Sequence, residues 1–452
     1  MESFNQKRVL VIGLGRFGGG VGVTQWLARQ GAIVTVTDQA PAATLDESIE
    51  AVANLGVTLH LGGHDLGDLN QTGLVVINPA VVKSRSEFFQ EITRRNIAWT
   101  TEMNLFCERC PATVIGVTGS FGKSTTCAML ADALRACTDT KSAALQRVHL
   151  GGNIGYSLLN DLPNIAAIDL VVLEMSNAQL EDLPRIDWAP HTAVITNLYP
   201  HHLDRHGAFE AYVTAKLNVI GKSDQTRHII AGDLHPKAEE WLTKRVHDHK
   251  VTRVDMFDSV MELKVPGRHN QRNAACVLAT CKTLGLAEST VRRALGEFRG
   301  LPHRLELVRR IDGVDYVNDS KSTAPSAIEA ALECFDQPIV AIVGGQKKDF
   351  SLDACANALA QRCRVVICVG ESGPQFAAAF ESAGQTPQTG PHPLTVHRTN
   401  TLEDAIILAR KHAHIGDVVL FTPGAPSFDR YANFTQRGDH FATIVKALEA
   451  GD

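Results

Sequence analysis

Nowhere does the chain hold a run of about 18 apolar residues, so no helix of it is built to cross a bilayer. An excess of basic charge is missing too. Lys and Arg number 44 against 49 Asp and Glu, a net charge of -5, so neither nucleic acid nor an anionic membrane is expected as a partner. Zinc spacing is absent from the ten cysteines, several of which sit inside apolar runs (Cys276, Cys363, Cys368). The lone Cys107-x-x-Cys110 pair therefore reads as chance, and the thiols as reduced and buried, as suits a cytoplasmic protein. The first residues lead straight into a strand, with nothing that resembles a secretory leader. What remains is an ordinary globular balance, 44% hydrophobic and 21% charged, on 452 residues, a length for about three domains.

One stretch organises the rest. Residues 113–117 are apolar and β-branched and read as a buried strand. A loop with Gly119 and Gly122 follows, then Lys123, Ser124 and Thr125 open a helix through Met129 and Leu134. Strand, glycine loop, Lys-Ser and helix make a phosphate cradle. Backbone N–H groups converge on the loop, and the helix N-terminus adds partial positive charge. Lys123 is placed to reach the β- and γ-phosphates, and the Ser124 hydroxyl to ligate Mg²⁺. The glycines fall at Gly116, Gly119 and Gly122, with Val117 where the common P-loop has its first glycine.

Upstream, residues 8–12 form a strand, Gly13-x-Gly15-x-x-Gly18 follows, and Asp38 ends the next strand. This is the dinucleotide fingerprint of a Rossmann-like unit, with NAD as its literal ligand and a UDP-sugar as the rival. Asp38 is placed to bond a ribose or a base, or merely to end a strand. Gly19, Gly20 and Gly22 continue the glycine run and, as poor helix formers, point to a close approach of ligand or neighbouring backbone. Downstream, residues 151–155 read as a second glycine loop with Asn153 as its polar side chain. Glu174 sits at a strand end, where open α/β sheets bind ligands, and suits Mg²⁺. A polar cluster, His201 to His206, comes just past the strand at 192–196, and Lys216 shares a helical face with Tyr212. Asn270 and Asn273 open a helix and either hold a nucleotide base or cap it.

Leu301-Pro302 reads as a linker. Beyond it, strands at 315–317, 339–343, 364–369 and 417–421 alternate with helices, another doubly wound unit. The expected fold is thus α/β in three domains: an N-terminal Rossmann-like domain (1–111), a central P-loop mononucleotide-binding domain (112–301) and a C-terminal Rossmann-like domain (302–452).

In order along the chain stand TGxxGKSTT, GGNIG, the Glu174 strand end, TNxxxxHLDRHG, YxxAK, HNxxN, HRLE, NDSK and SFDxxxNFxxRGD. In this set the sequence resembles the Mur ligases over essentially its whole length. The resemblance implies an ATP-dependent, ADP-forming carboxylate–amine ligase. The ending SFDRYANFTQRGDHF and the one-piece Rossmann-like start imply D-glutamate as the amine and UDP-N-acetylmuramoyl-L-alanine as the carboxylate, in peptidoglycan precursor synthesis by a cytoplasmic monomer. It implies ATP phosphates on Lys123 and Ser124, two Mg²⁺ ions on Ser124, Glu174, His202 and Lys216, and a Lys216 that becomes carbamylated. Asn153 would touch the muramoyl substrate. Asn270, Asn273, Arg304 and Asp319 would hold adenine, phosphate and ribose. Lys321, Thr323, Ser427 and Phe434, with Lys347 or Lys348, would surround D-glutamate. Gly13, Gly15, Gly18 and Asp38 would take the UDP part. Catalysis would fall to Lys123, His202, Lys216 and Lys321.

The chain departs from the family pattern at Phe121 (usually Asn), His201 (usually Asp), Asn78-Pro79-Ala80 (commonly Ser-Pro-Gly) and Ala324 (usually Asn). Three other readings stand beside this one: a sister ligase for a different amino acid, an NAD-dependent dehydrogenase built on Gly13 to Asp38, and a non-catalytic nucleotide-binding regulator.

Overall fold

A computed structural model describes residues 3–15, 18–138, 147–154, 157–201, 203–222, 226–246, 251–254, 261–265, 267–347, 351–384 and 394–450. The chain forms two compact units, residues 1–260 with 272–295, and residues 261–271 with 296–452. Among the described residues no helix is long and apolar enough to cross a membrane.

The first unit contains two all-parallel sheets. One is built from β1 (Arg8–Ile12), β2 (Ile33–Asp38), β3 (Thr58–Leu61), β4 (Leu74–Ile77) and β5 (Trp99–Thr100), in the order β3-β2-β1-β4-β5. The other takes β6 (Thr113–Thr118), β7 (Val148–Gly152), β8 (Leu170–Glu174), β9 (Thr192–Leu198), β10 (His228–Leu234) and β11 (Val251–Arg253), in the order β11-β10-β9-β6-β8-β7. Continuous apolar runs explain the strands: β4 and β8 are buried at every position, as parallel strands covered on both faces must be. Strand order reverses at β1 in the first sheet and at β6 in the second. Crevices open at such switch points, and the two glycine loops leave these two strands.

Two glycine readings are settled here. Gly20 and Gly22 lie inside the helix Gly19–Arg29, and backbone and side-chain packing explain both. A Cβ on Gly20 would lie 2.1 Å from the Gly13 carbonyl oxygen, and one on Gly22 would lie 2.6 Å from Ser157 Cβ. The stretch 151–155 is only partly a loop. Strand β7 runs through Gly152, and a Cβ on Gly151 would meet Leu158 at 2.5 Å, so the first glycine serves packing.

The second unit holds a mixed sheet of β12 (Glu306–Ile311), β13 (Val314–Asn318), β14 (Ile339–Val343), β15 (Cys363–Cys368), β16 (Thr395–Arg398) and β17 (Val418–Phe421), in the order β12-β13-β17-β14-β15-β16. All pairs are parallel except β12 with β13. Asp312 (φ 52) and Gly313 (φ 75) turn that hairpin; both angles are positive, as a tight two-residue turn between twisted strands requires. Ile339 to Val343 are all buried, each of the four Ile and Val side chains contributing about 1.5–3 kcal/mol. Phe376 and Phe380 pack on one face of the sheet, Phe421 and Phe441 on the other.

Candidate active site

The phosphate loop follows β6 as expected, and the helix Lys123–Thr138 carries Lys123 at its first position. Gly119 (φ 149) and Gly122 (φ 78) adopt backbone angles that side chains avoid. Neither has room for a Cβ: Thr196 Oγ1 would lie 2.0 Å away at Gly119 and Asn273 Oδ1 2.3 Å away at Gly122. Asn273 is thereby seated against the phosphate loop. Asn270 lies about one turn earlier on the same helix, Arg268–Thr283, and both are buried. The loop is pinned from β9: the Phe121 N–H donates to Asn197 Oδ1 (2.9 Å), and its carbonyl accepts from Thr196 Oγ1 (2.7 Å) and Asn197 Nδ2 (3.0 Å). Tyr212 donates its hydroxyl to Ser120 Oγ at 2.9 Å. The Phe121 side chain is itself exposed, and the His201 ring stands edge-on to it at 5.0 Å, so two of the departures noted in the sequence touch each other.

Two ammonium groups meet inside this loop. Lys123 Nζ donates to the carbonyls of Gly119 (3.0 Å) and Ser120 (3.2 Å). Lys216, from the helix Phe209–Leu217, is 1% exposed and donates to the same Gly119 carbonyl (2.9 Å) and to Thr118 Oγ1 (3.2 Å). Burial first, and then the charge of Lys123, hold the Lys216 amine well below the usual lysine range, while Glu174 pulls the other way. A lysine in that state is readily neutral and nucleophilic.

Glu174 ends β8 and is fully buried. Its Oε1 accepts from Asn153 Nδ2 at 2.7 Å, and its Oε2 has no hydrogen-bond partner. A buried carboxylate oxygen left open in this way calls for a missing partner. A hard oxygen at the end of the strand that pairs with β6, which leads into the phosphate loop, fits Mg²⁺, which needs only one or two protein ligands and takes the rest from phosphate and water. Among the described residues no group of three His, Cys, Asp or Glu side chains is arranged to hold a metal. His202, named from the sequence as a metal ligand, lies outside the described residues.

At the fingerprint loop, Gly13 (φ 90), Gly15 (φ 63) and Gly18 (φ 87) all need glycine. Both oxygens of Asp38 accept backbone N–H groups, Oδ2 from Gly15 (3.0 Å) and Oδ1 from Ala40 (2.8 Å). Of the roles open to Asp38 in the sequence, the contacts it makes here belong to the loop itself.

In the second unit Asp319 is buried, accepting from Thr422 Oγ1 (3.1 Å) and the Leu305 N–H (3.2 Å). Burial pushes its carboxyl up to about 7, opposed by those hydrogen bonds and by the charges of Arg304 and Arg437. Lys321 Nζ lies over the Phe434 ring, 5.6 Å from its centre, so two expected D-glutamate residues are neighbours. Ser427 is buried, whereas Thr323 and Lys347 are exposed; Lys348 lies outside the described residues.

Sequence reasoning passed over Arg437, although it quoted the RGD that contains it. Arg437 is 2% exposed and donates to Ser320 Oγ (3.0 Å), the Ser320 carbonyl (2.8 Å) and the Ala425 carbonyl (2.9 Å). It thereby holds the loop that carries Lys321. Burial lowers its guanidinium to about 10. Gly438 leaves space for His303, whose Nδ1 would lie 2.2 Å from a Cβ there, and Asp439 faces His303 Nε2 at 3.5 Å. The signal was available: an arginine on the buried face of a helix is retained only if its donors are used.

Comparison with known proteins places this geometry among relatives. Residues 7–99 match the Mur ligase MurD-like N-terminal domain, 117–255 the Mur ligase middle domain and 303–424 the Mur ligase, glutamate ligase domain. The UDP-N-acetylmuramoylalanine--D-glutamate ligase of Roseiflexus sp. (strain RS-1) is 36% identical, covering 98% of this chain and 99% of that protein. The protein of the same name from Symbiobacterium thermophilum is 34% identical over 98% of each. Among solved structures, UDP-N-acetylmuramate-alanine ligase MurC from Thermotoga maritima superposes with a TM-score of 0.58 at 19% identity, over 98% of this chain and 100% of that one, a likeness of fold. With full-length relatives above 30% identity, the dehydrogenase reading of the fingerprint falls away, and the chain belongs to the Mur ligase family.

Proposed function

We infer that the chain is an ATP-dependent, ADP-forming ligase that joins D-glutamate to UDP-N-acetylmuramoyl-L-alanine in peptidoglycan precursor synthesis. The single observation that carries the chemistry is the buried set around Gly119: two lysines on one loop carbonyl, with a carboxylate, Glu174, whose outer oxygen is open. Full-length relatives that bear the D-glutamate ligase name support the substrate pair.

A carboxylate resists attack by an amine because it would have to expel oxide. Transfer of the γ-phosphoryl group of ATP to the alanyl carboxylate gives an acyl phosphate. The D-glutamate amine then attacks the acyl carbon, and phosphate departs from the tetrahedral intermediate. The chain's own task is positioning and charge. The N–H groups of Gly122 to Ser124 at the start of the helix would cradle the phosphates, those of Ser120 and Phe121 being held by Asn197. Lys123 exchanges its loop carbonyls for phosphate oxygens. Glu174, Ser124 and His202 would hold Mg²⁺, with Asn153 orienting the Glu174 carboxylate; the ion would supply charge neutralisation. Lys216, readily neutral, adds to CO₂: a nitrogen–carbon bond forms, one proton leaves, and an ammonium position becomes an anionic carbamate able to face a cation. Asn270, Asn273, Arg304 and Asp319 would hold the nucleoside. Gly13, Gly15, Gly18 and Asp38 would shape the UDP loop. Lys321, Thr323, Ser427, Phe434 and Lys347 or Lys348 would take D-glutamate, with Arg437 holding Lys321 in place.

The deciding experiment follows phosphate release from ATP and Mg²⁺ with UDP-N-acetylmuramoyl-L-alanine, adding D-glutamate, L-glutamate, glycine or L-lysine in turn. Release with a matching amide only for D-glutamate is the expected result. Release with another amine would move the error to the C-terminal pocket, and no release with any amine would overturn the reading.

A further inference from the structure

Arg205 stands outside the phosphate site and outside the fingerprint, yet it touches the supports of both. It belongs to the short helix Leu203–His206 and is only 19% exposed. Its Nε and Nη2 donate to the two oxygens of Glu181, at 3.4 and 3.0 Å, and its Nη1 donates to the Pro79 carbonyl at 3.2 Å. Each of the three guanidinium nitrogens makes a contact.

Each contact leads somewhere. Pro79 lies in the turn after β4. Its neighbour Asn78 donates to the Gly13 carbonyl (3.3 Å) and would meet a Cβ on Gly13 at 2.9 Å, so this turn forms one wall of the fingerprint loop. Glu181 caps the helix Asn177–Leu180, which begins just after Glu174 and is fixed by a capping box between Ser176 and Gln179. His206 touches both ends of that short helix, with Asn177 Nδ2 at 2.6 Å and Glu181 at 3.5 Å.

We propose that Arg205 is a positioning residue, a splint that sets the distance between the loop wall at Asn78-Pro79 and the acidic strand end at Glu174. The proposal rests on the ligase reading above. A substrate that carries a nucleotide at one end and its reacting carboxylate at the other would be held at two places on one compact unit, and the span between them decides whether the carboxylate arrives in line. Misplacement by about 1 Å is enough to cost roughly a hundredfold in rate. Lysine cannot replace the fork, because one ammonium does not serve a carboxylate and a carbonyl in fixed directions. A separate strut joins the same two sheets: Lys83 pairs with Asp182 at 2.8 Å, and Asn104 Nδ2 donates to the Asp182 carbonyl at 2.8 Å. Folding therefore does not hang on Arg205 alone.

The test uses the full-length chain with Arg205→Gln and Arg205→Lys, reading amide formation and ADP release as each substrate is varied. The expected result in Arg205→Gln is a KM for UDP-N-acetylmuramoyl-L-alanine raised about tenfold and a kcat lowered severalfold, the scale of one or two charge-assisted hydrogen bonds. ATP and D-glutamate keep their KM within about twofold, the melting temperature stays near that of the parent, and Arg205→Lys falls between. Unchanged KM values, or an equal rise in all three, would overturn the proposal. Should Arg205→Gln fail to fold, Glu181→Gln, which leaves the Pro79 contact in place, is judged by the same split. A parent chain that forms no amide would overturn the ligase reading instead.

Discussion

The first unit contains two loops of the same plan, strand to glycines to helix, one after β1 and one after β6. They differ in the charge built around them. At the first, an anion belongs to the protein: the Asp38 carboxylate accepts the Gly15 N–H, and Ser48 Oγ donates to the Gly15 carbonyl at 2.7 Å. At the second, lysine amines belong to the protein: Lys123 and Lys216 both donate to the Gly119 carbonyl, while the Ser120 and Phe121 N–H groups are held by Asn197. A glycine motif therefore reports that a backbone approaches something closely. The charges set beside it report whether the loop recognises or reacts.

Four experiments press on this contrast. The largest effect is expected at the reactive loop: Lys123→Ala should lower kcat for ADP release on the order of 10³-fold, as loss of a charge-stabilising group does, and a loss under tenfold would break the contrast. Lys216→Met comes next, with kcat down about a hundredfold, and parent activity should fall in CO₂-free buffer and return with bicarbonate. The same residue carries a pH signature. Its folded-state value lies below the usual lysine value, so between the two the native state binds fewer protons than the unfolded chain, and stability rises with pH across that window. Urea titrations in CO₂-free buffer should show that slope in the parent and a flatter one in Lys216→Met. At the recognising loop, Asp38→Ala should raise the KM for the UDP substrate about tenfold and leave the KM for ATP within about twofold. A parallel rise in both would blur the two roles. The smallest change is Gly18→Ala. Among the described residues, its chain neighbours and own helix aside, nothing stands within 4 Å of its Cβ position, and the angle φ 87 is what resists, so a stability loss of about 1–2 kcal/mol is expected in the same titrations.

Local signals made much of this legible. The phosphate loop, its lysine and its helix are contiguous, and Glu174 announces itself as an acid ending an apolar run. β3, β10, β11 and β16 were not read, being short or carrying polar residues such as His60, Arg253 and His397. β12 was missed because an edge strand in an antiparallel hairpin needs no apolar run. Side-chain pairings across long separations were also invisible. Nothing in one sequence joins Asn153 to Glu174, or Arg437 to Ser320 across 117 positions. Asp38 was rightly placed at a strand end, but its choice of backbone partners depends on how the loop folds over it. Thr323 and Lys347 were chosen by resemblance, and their exposure leaves them free to meet a ligand.

The Gly119 carbonyl has a consequence of its own. One oxygen atom serves two ammonium groups, and the charge of one lowers the proton affinity of the other. Were Lys123 to leave that oxygen for a phosphate, a lone pair of the carbonyl would be freed for Lys216, which would meet a changed field. Nucleotide occupancy and the chemical state of Lys216 are then linked quantities. By reciprocity, whatever changes the charge on Lys216 would then alter the affinity for a nucleotide by the same factor that the nucleotide alters that change.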